Sequence, residues 1–206
     1  MANRAHYEQR AIRNILDAGL IGHVGVQTSD GPLVLPMAYG CDDTMLYLHG
    51  AAANHLLGSA AGHDICASVT LLDGLVMART PFHNSMNYRS VVVRGLATQI
   101  TDPAATLQAL RIITGHVVPN WDVGRPVSPT DNRKTLVLQM PLAEASAKVR
   151  TGDPVDEEHD VEGPWWAGVI PLETRFLTPR MAADCANPRP IPAHSLALEG
   201  TRTDER

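Results

Sequence analysis

The side chains best equipped for chemistry crowd one stretch of the chain, Phe82-His83-Asn84-Ser85-Met86-Asn87-Tyr88-Arg89-Ser90-Val91-Val92-Val93-Arg94-Gly95. Val91 to Val93 are β-branched and specify a strand, with Tyr88, Arg89 and Ser90 at its mouth. A guanidinium fork, a hydroxyl and an aromatic ring at a strand entrance suit a ligand that carries both a phosphate and a ring. Gly95 removes side-chain bulk where another backbone or a ligand approaches. Other chemistries lack their signatures: there is no G-x-G-x-x-G, no G-x-x-x-x-G-K-[ST], no G-x-S-x-G and no H-E-x-x-H. The carboxylates between Asp153 and Glu162 read as a charged loop rather than an acid–base pair.

The elements that must position this stretch are mostly short strands. Residues 6–18 read as an amphipathic helix with Ile12, Ile15 and Leu16 on one face, stopped by Gly19. Strands are expected over 20–27, 33–39 and 44–49, and a short helix in the Ala-rich stretch 50–61. Residues 64–72 and 75–79 flank Asp73-Gly74, the strongest hairpin signal of the chain. A strand over 88–101 leads to Asp102-Pro103, an N-cap followed by proline at the first helical position. Strands over 135–140, 145–149 and 166–172 come after a loop over 117–133. Close-spaced antiparallel strands with helices as connectors specify a closed or nearly closed β-barrel. The domain boundaries read as 1–173 for the barrel and 174–206 for a Pro-rich tail that wraps the surface or another subunit.

With 206 residues and a formal net charge of −5, the chain has the size of one domain and lacks a basic face for nucleic acid. No apolar run reaches the roughly 18 to 20 residues of a membrane span, and the polar start does not read as a secretory leader. Three cysteines without a C-x-x-C spacing point to reduced thiols in a cytoplasmic protein, not to a metal site. Cys66, inside an apolar strand, reads as core.

These segments together resemble the pyridoxamine 5'-phosphate oxidase-like, FMN-binding split-barrel proteins, and more narrowly the branch with the nitroimidazole-resistance (Nim-type) flavoproteins. The resemblance spans residues 7–172. It rests on Ile15-Leu16-Asp17-Ala18-Gly19, Leu46-Tyr47-Leu48-His49-Gly50-Ala51, Met86 to Gly95, Glu144 to Gly152, and Trp166-Ala167-Gly168-Val169-Ile170-Pro171-Leu172. It implies a mainly β fold, a six-stranded antiparallel split barrel of Greek-key type with a few connecting helices. It also implies a homodimer holding FMN at the subunit interface.

On that resemblance Leu35, Pro36, Met37, Ala38 and Tyr39 run beside the flavin ring. Pro36 marks an edge or bulge where a ligand replaces a neighbouring strand. The phosphate pocket falls on His49, Gly50, Ala51, Ala53, Asn54 and His55, at a helix start. His55 stands where relatives carry a lysine or arginine, and a histidine with a pKa of about 6.5 is only partly charged at neutral pH. Tyr88 and Ser90 reach the flavin, and Arg89 is the partner of its phosphate or pyrophosphate through its planar fork. Of Trp165 and Trp166 only one can stack near the ring edge, because adjacent strand residues face opposite ways. Trp166 is assigned to the cofactor. Lys148 and Arg150 share a strand face that can meet an anionic substrate. His83, held by Pro81-Phe82, is the proton donor expected in catalysis.

The activity implied is an FMN-dependent oxidoreductase, with NAD(P)H as donor and a small nitroaromatic, quinone-like or B6-like acceptor. A non-catalytic flavin sensor or carrier is the alternative, as is a deazaflavin in place of FMN. A haem held by His49, His55 or His83 is a third possibility.

Overall fold

The computed structural model describes residues 5–6, 8–185 and 189–205. The expected first helix forms as α1 (Gln9–Ala18), three residues later than its apolar pattern implies, because Ala5–His6 forms a short strand β1 instead. Tyr7 lies outside the described residues. Ile12, Ile15 and Leu16 are buried, as the spacing requires.

A hairpin comes next, β2 (Gly22–Thr28) and β3 (Gly31–Met37), then β4 (Tyr39–Cys41) and β5 (Met45–Ala51). The expected strand over 33–39 is therefore two strands, parted at Ala38, and the chain changes sheets there. Beyond α2 (His55–Ala60), β6 (Asp64–Met77) runs unbroken for 14 residues through Asp73-Gly74, so the expected hairpin does not form. Gly74 serves close approach rather than a turn. It pairs with Pro171, and a Cβ added there would lie 3.0 Å from Val169 Cγ1 and 3.1 Å from the Ile170 carbonyl.

After a single 3-10 turn at Pro81–His83 come β7 (Ser85–Leu96), β8 (Thr98–Gln99) and α3 (Pro103–Val117). Asp102 caps α3 by accepting from the Ala105 N–H at 2.8 Å. The helix runs through Gly115 to Val117. Within the expected loop, Ser128 and Asp131 form a capping box that starts α4 (Pro129–Arg133). The remaining elements are β9 (Thr135–Pro141), β10 (Ser146–Arg150), α5 (Glu158–Val161), β11 (Gly168–Pro171) and α6 (Ala193–Leu196).

The strands make two antiparallel sheets, the mainly β split-barrel architecture expected. One runs β1-β10-β7-β6-β2-β3, with β11 added to β6; the other runs β4-β5-β9-β8. The described residues divide into two compact units. The first comprises Met1–Leu71 and Arg89–Val149; the second comprises Leu72–Tyr88 and Arg150–Arg206. In the first unit, Leu16, Val24, Tyr39, Leu46, Leu48, Val91, Val93, Leu138 and Met140 build the core between the sheets. Helix α3 covers the outside of the four-stranded sheet through Ala109, Leu110 and Ile113 against Tyr47 and Val137. Gly40 permits that contact, since a Cβ there would stand 2.7 Å from Ile113 Cα. In the second unit, β11 pairs along the far half of β6, and the C-terminal stretch folds back on itself through an Arg175–Arg202 bridge.

Candidate functional site

In the first unit, strand alternation sorts the larger sheet into an inner face of Val24, Ala67, Val69, Val91 and Val93, all buried, and an outer face. His23 sits between Ser68 on one neighbouring strand and Pro36 on the other. One step along, Thr70 and Ser90 hydroxyls meet at 3.0 Å. Hydroxyls, an imidazole and an edge proline thus form a polar strip across β7, β6, β2 and β3.

The free edge of β3 adds backbone groups. Its seven residues pair in register with β2, so alternate residues exchange ladder hydrogen bonds. Pro32 and Pro36 have no N–H to give and share one parity with Val34, so this set faces away from β2. The edge therefore presents the N–H and C=O of Val34 between two proline carbonyls, the alternation of donor and acceptor that a pyrimidine-like edge matches. Val34 is 60 % exposed. Farther along the same outer face, Gly25, Gln27, Val34, Cys66, Arg94 and Glu144 line a concavity of about 490 Å³. Cys66 is half-buried there and faces outward, not into the core.

The expected site residues separate into groups. Pro36 and Ser90 lie on the outer face. Arg89 has the parity of buried Val91 and Val93, so it points to the opposite side from Ser90. Leu35 pairs with Val24, Met37 packs against the core, and Ala38 joins β3 to β4. Tyr39 is fully buried, its hydroxyl shared between the carbonyls of Leu16 at 2.5 Å and Gly19 at 3.0 Å. His49, Gly50 and Ala51 end β5. Gly50 leaves room for Leu57, whose Cδ1 would stand 2.6 Å from an added Cβ. Asn54 Oδ1 caps α2 by accepting from the N–H groups of Leu56 and Leu57, and Ala53 and His55 flank it on exposed positions. His49 Nδ1 is buried with no partner among the described residues, and burial lowers the pKa of the ring.

The second unit holds Tyr88, His83 and Trp166. The Trp166 ring lies over Gly168, where an added Cβ would stand 2.9 Å from Cη2. Arg150 is buried and donates to the Asn87 side chain and to the carbonyls of Gly152 and Asp153, so it fastens a loop rather than facing a substrate. Asp156, with a side chain 1 % exposed, accepts from Arg79 N at 3.0 Å and Arg79 Nη1 at 2.9 Å, and lies 3.9 Å from His83 Nδ1.

Sequence reasoning passes over His23, Ser68, Thr70 and Arg94. The signal for Arg94 is available in the pattern: counting two steps of period 2 from Ser90 places it on the same face. The others become visible only once the strands are paired. Among the described residues no group of three or more His, Cys, Asp or Glu forms a metal cluster, and no helix is long and apolar enough to cross a membrane.

The two-sheet fold is shared with known proteins. The family described as pyridoxamine 5'-phosphate oxidase matches residues 8–149. The chain belongs to this pyridoxamine 5'-phosphate oxidase-like split-barrel superfamily. It is similar to the flavocytochrome Anf3 from Azotobacter vinelandii, at 37 % identity over 96 % of this chain and 92 % of that one, with a TM-score of 0.90. A FAD and heme binding protein from Mycobacterium smegmatis is 27 % identical over 97 % of this chain and 98 % of that one, with a TM-score of 0.91. A protein described as a 5-nitroimidazole antibiotic resistance protein, from Bacteroides thetaiotaomicron, shares the fold at 24 % identity over 70 % of this chain and 86 % of that one, with a TM-score of 0.60. Among curated proteins none matches the chain.

Proposed function

We propose that the chain is a redox protein carrying a flavin nucleotide and a haem, which passes electrons from a reduced nicotinamide to a small organic acceptor of nitroaromatic or quinone type. The observation that carries this is where two similarities end. The family match stops at residue 149, whereas the likeness to the flavocytochrome and to the FAD and heme binding protein runs over 96 % and 97 % of the chain. Most of the chain beyond residue 149 is therefore shared with two proteins whose names include a haem or cytochrome as well as a flavin.

A bound flavin takes a hydride's two electrons and releases them singly, and a haem relays single electrons. The outer face of the first unit fits the flavin. The β3 edge offers the Val34 N–H between the Pro32 and Pro36 carbonyls to the pyrimidine edge of the ring, while Thr70 and Ser90 supply hydroxyls and His23 a ring nitrogen. Arg94, on the face of Ser90, takes the place of Arg89 and His55 as the cation for phosphate. The concavity beside Arg94 gives room for a nucleotide longer than FMN, which supports FAD, the flavin in the name of the mycobacterial relative. A second copy of the chain covers the ring; Val34, 60 % exposed on the same face, supplies apolar surface for that homodimer.

Purified protein is expected to show flavin bands and a Soret band, to release a nucleotide with the mass of FAD on denaturation, and to bleach its flavin under anaerobic NAD(P)H. A preparation that takes up no flavin overturns the proposal. A flavin that NAD(P)H never reduces replaces the enzyme with a carrier.

A further inference from the structure

We infer that His83 is the axial ligand of the haem, through Nε2, and that Asp156 is the positioning residue behind its other nitrogen. This rests on the flavin-and-haem function proposed for the chain and names the residues of that site. It gives His83 a task other than the proton donation its sequence context implies.

The second unit, which contains the stretch after residue 149, carries three described histidines. The His159 ring is 82 % exposed and pairs with Asp160 at 3.6 Å, so it sits in open solvent. His194 lies on the four-residue helix α6. His83 differs from both. Its Nδ1 is buried and faces Asp156 Oδ1 at 3.9 Å, with no other acceptor among the described residues. A histidine ligand needs one nitrogen accessible and the other held toward a carboxylate or carbonyl, which fixes the tautomer and ring orientation. With Nδ1 on the inner side, Nε2 is the nitrogen left to meet a metal.

Both the turn that carries the ring and the carboxylate behind it are fixed. Pro81 opens the 3-10 turn, the Thr80 side chain accepts from the Phe82 N–H, and the His83 N–H donates to the Thr80 carbonyl at 3.0 Å. Asn84 Oδ1 ties the turn to the end of β6 by accepting from Ala78 N at 2.8 Å. Asp156 is fixed by Arg79 through both backbone and guanidinium. Beside the imidazole, Phe82 is 89 % exposed, with ring centroids 5.3 Å apart. A phenyl ring left in water next to an accessible imidazole nitrogen is a surface that a porphyrin covers.

The full-length protein tests this as wild type, His83→Ala, Asp156→Asn, Asp156→Glu and, as control, His159→Ala, each loaded with haemin. Haem per chain, the Soret and electron paramagnetic resonance spectra, the haem reduction potential, flavin content and thermal unfolding are measured on every sample. His83→Ala is expected to lose haem occupancy at least tenfold, to keep its flavin, and to recover a wild-type Soret band when free imidazole is added; His159→Ala is expected to match wild type. Asp156→Asn is expected to retain haem with a higher reduction potential, because a carboxylate behind the ring makes the ligand a stronger donor and favours ferric iron. Should the amide variant unfold, Asp156→Glu, which keeps the charge, is expected to bind haem at wild-type potential. Full haem occupancy with an unchanged spectrum in His83→Ala overturns the ligand assignment while leaving the haem reading intact. An unchanged potential in folded Asp156→Asn, or loss of haem from folded Asp156→Glu, overturns the role of Asp156. Wild-type protein that holds flavin but never haem removes the haem reading itself.

Discussion

Thr70 and Ser90 meet hydroxyl to hydroxyl at 3.0 Å on neighbouring strands of the outer face. Because each hydroxyl keeps lone pairs beyond that bond, the pair can satisfy itself and still serve a ligand. Replacing both, as Thr70→Val with Ser90→Ala, is expected to weaken flavin binding about tenfold, the equivalent of about 1.4 kcal/mol. The melting temperature of the apoprotein should barely move. Flavin fluorescence titration beside a thermal melt checks both; an unchanged affinity would remove the strip from the flavin site.

Tyr39 joins two secondary elements through one atom, with its hydroxyl between the carbonyls of Leu16 and Gly19. Tyr39→Phe keeps the ring and takes the hydroxyl donor from the Leu16 carbonyl, while the Gly19 carbonyl keeps the His116 Nε2 at 2.8 Å. The expected loss is about 1 to 3 kcal/mol of stability, read from urea unfolding, with flavin affinity in the folded fraction unaffected.

Gly74 fixes the second unit rather than the first. Gly74→Val would press branched carbons against Val169 and the Ile170 carbonyl. The expected result is loosened pairing of β11, seen as faster amide hydrogen exchange at Val169 and Ile170, at a cost of about 1 to 3 kcal/mol. Wild-type protection there would mean that β6 and β11 tolerate a side chain at their closest approach.

His49 makes stability depend on pH. Burial lowers its folded pKa below the unfolded value, so at mildly acidic pH the unfolded chain binds the extra proton. Stability is complete above the unfolded pKa of about 6.5 and is lost as pH falls below it, levelling off once the folded ring also protonates. The urea midpoint of wild type should drop between pH 7.5 and pH 5.5 by more than that of His49→Gln. Equal drops would exclude the ring as the cause.

Local signals in the sequence are faithful where one element satisfies them alone. Asp102 followed by Pro103 starts α3 because the cap needs only the residues next to it. Asp73-Gly74 carries the same kind of local signal and yields a straight strand, because β11, nearly a hundred residues later, offers a full ladder along β6 and asks Gly74 only for lack of bulk. The binding stretch shows the same limit. Ser90 and Arg89 are neighbours in sequence, yet a pleated strand sends them to opposite faces. His23 and Thr70 gain meaning only from β2 and β6 lying side by side. Asp156 is invisible from the sequence because it meets Arg79 across 77 residues.

Pro32 and Pro36 leave the rim of β3 a single amide hydrogen, at Val34, where an ordinary strand of this length would offer three. A like strand arriving from a stranger could not zip along it, so the same spacing that leaves a berth for a small heterocycle also guards the protein against stacking into fibres.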